Sequence, residues 1–295
     1  MEGAIRTKYQ NLSAKQVKKG RLGGDPIFIP ASKFQKNGVN SFFAALCKSY
    51  NGVITKGIDF DHETMSGPVF IRGFQGIKNH ELIRNLIRLE RDFYFVDSGY
   101  FGNDKLPSKK WHRVTRNDFQ DCKIIDRDSI RRRILNLRPK KWRESGDNIL
   151  ICPPSSKSMS FFFGKKMNDS DVDRWIDGVS REVKALSDRP IFIRKKPRSR
   201  FDRVFKNPIV NDFLNVHALI TYNSIAATEA IYNGIPSITL QSNAASAMSK
   251  NLISDINSLA YPDREAWLNH LSYCQFTEEE AANGLAKEIL EGGVG

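Results

Sequence analysis

Asn223, Ser224 and Glu229 are the residues whose types and spacing best suit chemistry in this chain. They lie in residues 217–240, HALITYNSIAATEAIYNGIPSITL. Asn and Ser are residue types that cap a helix, and the amides at a helix start attract anions, phosphate above all. Glu229 places a carboxylate in an otherwise apolar stretch, where a charge is costly to hold without a purpose. The elements that must position these groups can be read around them. Ala218–Thr221 is a short apolar strand, and Ile225–Asn233 is a helix with the small residues Ala226, Ala227 and Ala230. Gly234 suits a left-handed helix end, Pro236 stops the helix, and Ser237–Leu240 returns as a buried strand. A plain α/β crossover would show the same small-residue helix and Gly-Xaa-Pro break.

Two further strand ends converge on the same region. Asn148–Cys152 runs into Pro153-Pro154-Ser155-Ser156, and Pro190–Ile193 runs into Arg194-Lys195-Lys196. In open α/β sheets, ligands bind beyond the carboxyl ends of the strands. Ser155 with Asn223 and Ser224 would supply donors there, while Arg194 and Lys196 could neutralise a leaving diphosphate. A solvated basic loop is the plainer alternative for the run from Arg194. In the first half, Asp97 follows the strand Phe93–Val96. It is a candidate general base for a hydroxyl acceptor, or equally a turn cap through Gly99. Asp59, Asp61 and His62 are a second acidic candidate, and Arg113, Arg116 and Asn117 could hold an acceptor phosphate. His80 and His217 read as structural. No His, Cys and Asp set shows ligand spacing along the chain, so no metal is expected.

The string N-S-x-A-x-x-E-A-x-x-x-G-x-P resembles the donor-nucleotide segment of GT-B-type glycosyltransferases. The resemblance implies that Asn223 and Ser224 contact the diphosphate and that Glu229 contacts the nucleotide ribose. It also implies a nucleotide-sugar co-substrate, with uridine diphosphate as the expected nucleotide, and no further cofactor. The blocks YFVDSGYFGN, WHRVTRN, RPIFIRKKPR and YPDREAWLNHLSYCQFTEEEAANG resemble proteins frequent in tailed bacteriophages. That resemblance implies a phage DNA glycosyltransferase acting on a hydroxymethylated base. The first domain is shorter than in the well-studied member of that class.

Charge points the same way. The net charge is +13, with 29 Lys and Arg against 16 Asp and Glu in residues 1–150 and 17 against 17 in residues 151–295. One-sided charge of this kind favours a polyanionic partner. Lys109, Lys110, Trp111, Arg113, Arg116, Arg131, Arg132, Arg133 and Trp142 are the candidate DNA contacts, since cations beside tryptophans suit phosphate contact and base stacking. The alternative is a solvated helix face and a loose basic tail. The four cysteines are scattered and read as reduced thiols. No apolar run reaches the roughly eighteen residues of a membrane span, and the N-terminus lacks the apolar core of a secretory signal. The expectation is a cytoplasmic protein with no membrane partner.

At 295 residues the chain suggests two domains. The expected division is a basic tail over 1–24, an acceptor-side α/β domain over 25–145 and a nucleotide-sugar-binding α/β domain over 146–295. Strand and helix alternate at a spacing that predicts parallel sheets, and hence two Rossmann-like domains facing across a cleft. Asn79 is expected to cap one helix and Ser170 another, with Ser155–Ser160 as a loop. Thr277 and Glu280 form a capping box for a final helix ending near Gly292. Three functions fit these features. The first is a glycosyltransferase acting on modified DNA; the second is a nonenzymatic nucleic-acid-binding protein on the same scaffold; the third is a transferase acting on a polysaccharide or small molecule.

Overall fold

Alternation with a period of two decides the first sheet. In the computed structural model, which describes residues 24–30, 41–57, 59–74, 76–102, 111–196 and 207–292, the chain begins with β1 (Ile27–Ile29), α1 (Ser41–Ser49), β2 (Val53–Ile54), β3 (Val69–Arg72), α2 (Gly76–Arg88), β4 (Phe93–Ser98) and β5 (His112–Arg116). Ile27, Ile29, Val69, Ile71, Phe93 and Phe95 face α2, whereas Phe28, Phe70, Tyr94 and Val96 face α1. Successive side chains of a strand must point to opposite faces, so both faces are apolar and both are covered. Phe28 stacks on Phe70 at 4.3 Å and Phe70 on Tyr94 at 4.4 Å, a ring ladder across three neighbouring strands. Each such burial contributes roughly 1.5–3 kcal/mol.

The chain continues through α3 (Ile130–Ile134), β6 (Asn148–Cys152), α4 (Ser156–Phe162), α5 (Asp169–Lys184), β7 (Ile191–Ile193), β8 (Val216–Thr221), α6 (Ala226–Tyr232), β9 (Ser237–Thr239), α7 (Glu265–Ser272), β10 (Gln275–Phe276), α8 (Glu278–Ala282) and α9 (Leu285–Leu290). The second sheet is parallel, in the order β7-β6-β8-β9. Ile149, Ile151, Ala218 and Ile220 pack against α5, and Leu150 and Leu219 pack on the opposite side with α6 and α7. The α/β class with two sheets is therefore the one the alternation predicts.

The first sheet has the order β10-β5-β4-β3-β1-β2. It is parallel from β2 to β4, but β5 runs antiparallel to β4 and β10 antiparallel to β5. The expected parallel sheet thus ends in an antiparallel edge. The expected domain over 146–295 needs a correction for the same reason. After α7 the chain returns to the first half, where β10 joins the sheet and α8 and α9 pack beside α1 in one core. Phe276, Ala281 and Ile289 are the apolar residues that draw it there.

Local capping also differs from expectation. Asn168, rather than Ser170, caps α5 through a capping box with Asp171, since its side chain accepts from the Ser170 and Asp171 amides. Ser155 caps α4, so residues expected as a loop are helical, and Asn79 lies inside α2. Thr277 and Glu280 do form their capping box, but Gly284 breaks the helix in two. Gly234 has φ +81°, and a Cβ there would fall on the Lys141 carbonyl. Only glycine fits where the segment 140–143 crosses α6. The two halves also touch through α2 and α4. Arg84 donates to the carbonyls of Ser160 at 3.1 Å and Phe161 at 2.7 Å. Phe74, Phe119 and Phe161 cluster beside them.

Candidate functional site

The carboxyl ends of β6 and β8 lie side by side where the chain order of the second sheet reverses, the usual place for a ligand in such sheets. Thr221 Oγ1 ties the two strand ends together by donating to the Cys152 carbonyl at 2.6 Å, and it accepts from the Ser224 amide at 3.3 Å. The Ser224 hydroxyl accepts from the Ala226 amide at 3.2 Å at the start of α6. Asn223 is braced from two sides. Its side-chain oxygen accepts from Ser158 Oγ at 3.1 Å, and its carbonyl accepts from Gln120 Nε2 at 2.7 Å. Ser155 Oγ accepts from the Ser158 amide at 3.2 Å, so Ser155, Ser158 and Asn223 form one polar rim. Ser158 and Gln120 carry no motif, and Gln120 comes from the other half of the chain. Neither was legible as a site residue.

Glu229 lies half-buried on α6. The Cys152 thiol at the end of β6 senses the charges around it. Burial pushes it up to about 12, Arg194 acts to lower it, and Asp212 and Glu229 act to raise it. Arg194 and Asp212, paired with each other, lie near that strand end. Arg194 is engaged there by an ion pair with Asp212 and by the Asn207 carbonyl at 2.6 Å. Lys195 turns outward to Asp173. Lys196 is exposed, and its positive charge is one of those that act to lower the Asp97 carboxyl.

Asp97 stands at the carboxyl end of β4 with 38% of its side chain exposed. Arg113 on the neighbouring strand reaches it at 3.2 Å and Arg72 at the end of β3 approaches to 3.6 Å. Desolvation acts to raise the Asp97 carboxyl, but Arg113, Arg72, Lys196 and the Ser98 amide outweigh it and hold the group at about 2. The result is a carboxylate ionised at all ordinary pH values. Arg113 is otherwise spent on structure, donating to the carbonyls of Ser98 at 2.6 Å and Phe119 at 3.1 Å. Arg72 was not legible as a site residue, although a cation closing the apolar run before Gly73 was the available signal. The loop after Asp97 is braced by the C-terminal strand: buried Gln275 accepts from the amides of Tyr100 and Phe101 at 2.8 and 2.9 Å.

Several expected DNA contacts are structural instead. Arg131 is buried and donates to both Glu280 oxygens at 2.8 and 2.9 Å and to the carbonyls of Ser272 and Gln275. Arg132 pairs with Glu265 at 2.5 Å and Arg116 with Asp92 at 2.6 Å. Trp142 donates to the Pro262 carbonyl at 3.0 Å and has the Arg264 guanidinium 4.1 Å over its ring, so it offers no open stacking face there. Trp111 packs on Gly99 and Gly102. Arg133 remains exposed, and Lys109 and Lys110 lie outside the described residues. Asp61 is used in a turn, accepting from the Glu63 amide and the Thr64 hydroxyl. Asp121, His270 and Cys274 are the described residues close enough together to hold a metal.

No protein-family model matches this chain, and no curated protein matches its sequence. Two solved structures of KpsC from Thermosulfurimonas dismutans are similar to it. The one described as a beta Kdo 2,7 transferase is 10% identical, with 89% of this chain and 99% of that chain covered and a TM-score of 0.48. The one described as a beta Kdo 2,4 transferase is 11% identical, with 90% and 98% covered and a TM-score of 0.47. Likeness this distant assigns neither a substrate nor a residue role. Among the described residues no helix is long and apolar enough to cross a membrane.

Proposed function

We propose that the chain is a glycosyltransferase that takes a sugar from a nucleotide-sugar donor seated beyond β6 and β8. Asn223 and Ser224 contact the diphosphate, Glu229 the ribose hydroxyls, and Lys196 the charge that develops on the leaving group. Asp97 orients the acceptor hydroxyl and takes its proton. The acceptor oxygen bonds the anomeric carbon while the bond from that carbon to the diphosphate oxygen breaks, and its electron pair leaves with the diphosphate. A carboxylate near 2 is a weak base, yet it suffices when the proton is lost late, because the attacking oxygen becomes strongly acidic as its new bond forms. The observation that carries this reading is the hydrogen bond from Gln120, in the segment after β5, to the Asn223 carbonyl at 2.7 Å, which ties the first half to the turn at the end of β8. It supports a shared cleft with the donor motif on one side and a carboxylate on the other.

For the acceptor we favour an acidic saccharide over DNA. Arg72 pairs with Asp97, and the exposed Lys196 adds its charge to the same carboxylate, a balance that suits an anionic substrate. The DNA reading keeps the basic balance of residues 1–150 as its support, but loses Arg131, Arg113 and Trp142 to internal contacts. The bacteriophage setting rests on sequence resemblance alone. Incubation with a nucleotide-sugar panel tests the choice, offering an acidic oligosaccharide and hydroxymethylated duplex DNA side by side. Transfer to the saccharide is the expected product by mass. A mass shift on the DNA would restore the nucleic-acid reading, and no transfer to either, with no donor turnover, would favour a nonenzymatic role.

A further inference from the structure

Three residues that the proposed reaction does not use meet at the junction of the two halves. His270 lies in the last turn of α7, and Cys274 lies in the turn just beyond its end, where the thiol donates to the His270 carbonyl at 3.3 Å. Asp121 comes from the loop after β5, more than a hundred residues away in sequence. One ligand atom from each lies within 4.8 Å of the others. His270 Nε2 and Cys274 Sγ are 3.6 Å apart. Two ligands bound to one Zn²⁺ at roughly 2.0–2.1 and 2.3 Å, at a tetrahedral angle, would be separated by about 3.6 Å. His270 and Cys274 are buried at 3% and 8% exposure. The imidazole has no strong partner, since Nδ1 has none and Nε2 meets only the sulfur. Nε2 is therefore the ring nitrogen available to ligate a cation, with the proton carried on Nδ1.

We propose that Asp121, His270 and Cys274 bind one Zn²⁺ that locks the returning C-terminal segment to the base of the cleft. The mixed thiolate, imidazole and carboxylate set suits zinc, and one carboxylate plus one thiolate neutralise the dication. Asp121 is half-buried, which leaves the fourth position open to water, and the Tyr100 hydroxyl donates to Asp121 Oδ2 at 3.1 Å beside it. The location gives the ion its purpose. α7 packs in the core that covers the second sheet, whereas β10, one residue after Cys274, is a strand of the first. Asp121 belongs to the first half and adjoins Tyr100, three residues beyond Asp97. A metal bridging these pieces sets how the two faces of the cleft meet.

The test uses the full chain, purified without a tag or chelator. Metal analysis should find about one zinc per chain. Replacement by Co²⁺ should give a thiolate-to-cobalt charge-transfer band and tetrahedral ligand-field bands. Both should vanish in Cys274→Ser and persist in Cys152→Ser, whose thiol lies at the end of β6. If Cys274→Ser fails to fold, the cobalt spectrum of the unaltered chain and of Asp121→Asn still decides. Zinc below about a tenth of an equivalent, with a cobalt spectrum free of thiolate charge transfer, would overturn the proposal. So would a band that survives Cys274→Ser.

Discussion

Asp97 shows why a residue's neighbours matter more than its type. An acid at the end of a strand reads from sequence as a base or a turn cap, but its two ion-pair partners come from β3 and β5. Asp97→Asn should lower transfer by about 10²–10⁴-fold while leaving donor affinity unchanged, as measured by initial rates and calorimetry. Because the carboxyl is held at about 2, its own titration should leave the rate profile flat down to about pH 3. An acid limb near pH 4–5 that disappears in Asp97→Asn would show an ordinary carboxyl instead. The stability sign follows from the same depression. A group with its folded value below the ordinary 3.8 contributes stability above that pH and loses it as the pH falls toward 2. Acid unfolding curves of the unaltered chain and Asp97→Asn should therefore converge between about pH 4 and 2.

Elements were legible where local pattern decides them and illegible where distant residues do. Phe93–Val96, Asn148–Cys152 and Ala218–Thr221 carry alternation or apolar runs strong enough to declare strands, and all three are strands. The turn at 221–226 was legible through its small and capping residues. The return of the C-terminal segment was not, because a two-residue strand such as β10 has no periodicity to read. Its attachment depends on Gln275, Arg131 and Glu280, whose pairing spans more than a hundred residues of sequence. The run Arg131-Arg132-Arg133 misleads for the same reason: its charges suggest a polyanion site, but the first two are spent on Glu280 and Glu265. Removing one partner of a buried, hydrogen-bonded ion pair costs about 3–5 kcal/mol. Arg131→Ala should destabilise by that amount in urea unfolding, whereas exposed Arg133→Ala should stay within about 0.5 kcal/mol. Equal effects would mean that Arg131 does not anchor the returning segment.

At the scale of the whole molecule, contacts from both halves tie the two sheets together. Gln120 reaches from the first half to Asn223, Arg84 from α2 to α4, and Gln275 from the C-terminal strand to the loop behind Asp97. The turn at Asn223 and the Asp97 carboxylate thus belong to one connected framework, which in the proposed function binds a nucleotide sugar. Isothermal titration of the unaltered chain and Glu229→Gln with a panel of nucleoside diphosphates and their sugar conjugates tests this most directly. Saturable binding of at least one donor nucleotide is expected, weakened about 10–100-fold in Glu229→Gln by loss of a charged hydrogen bond to ribose. Binding of no member of the panel, or binding untouched by Glu229→Gln, would contradict it.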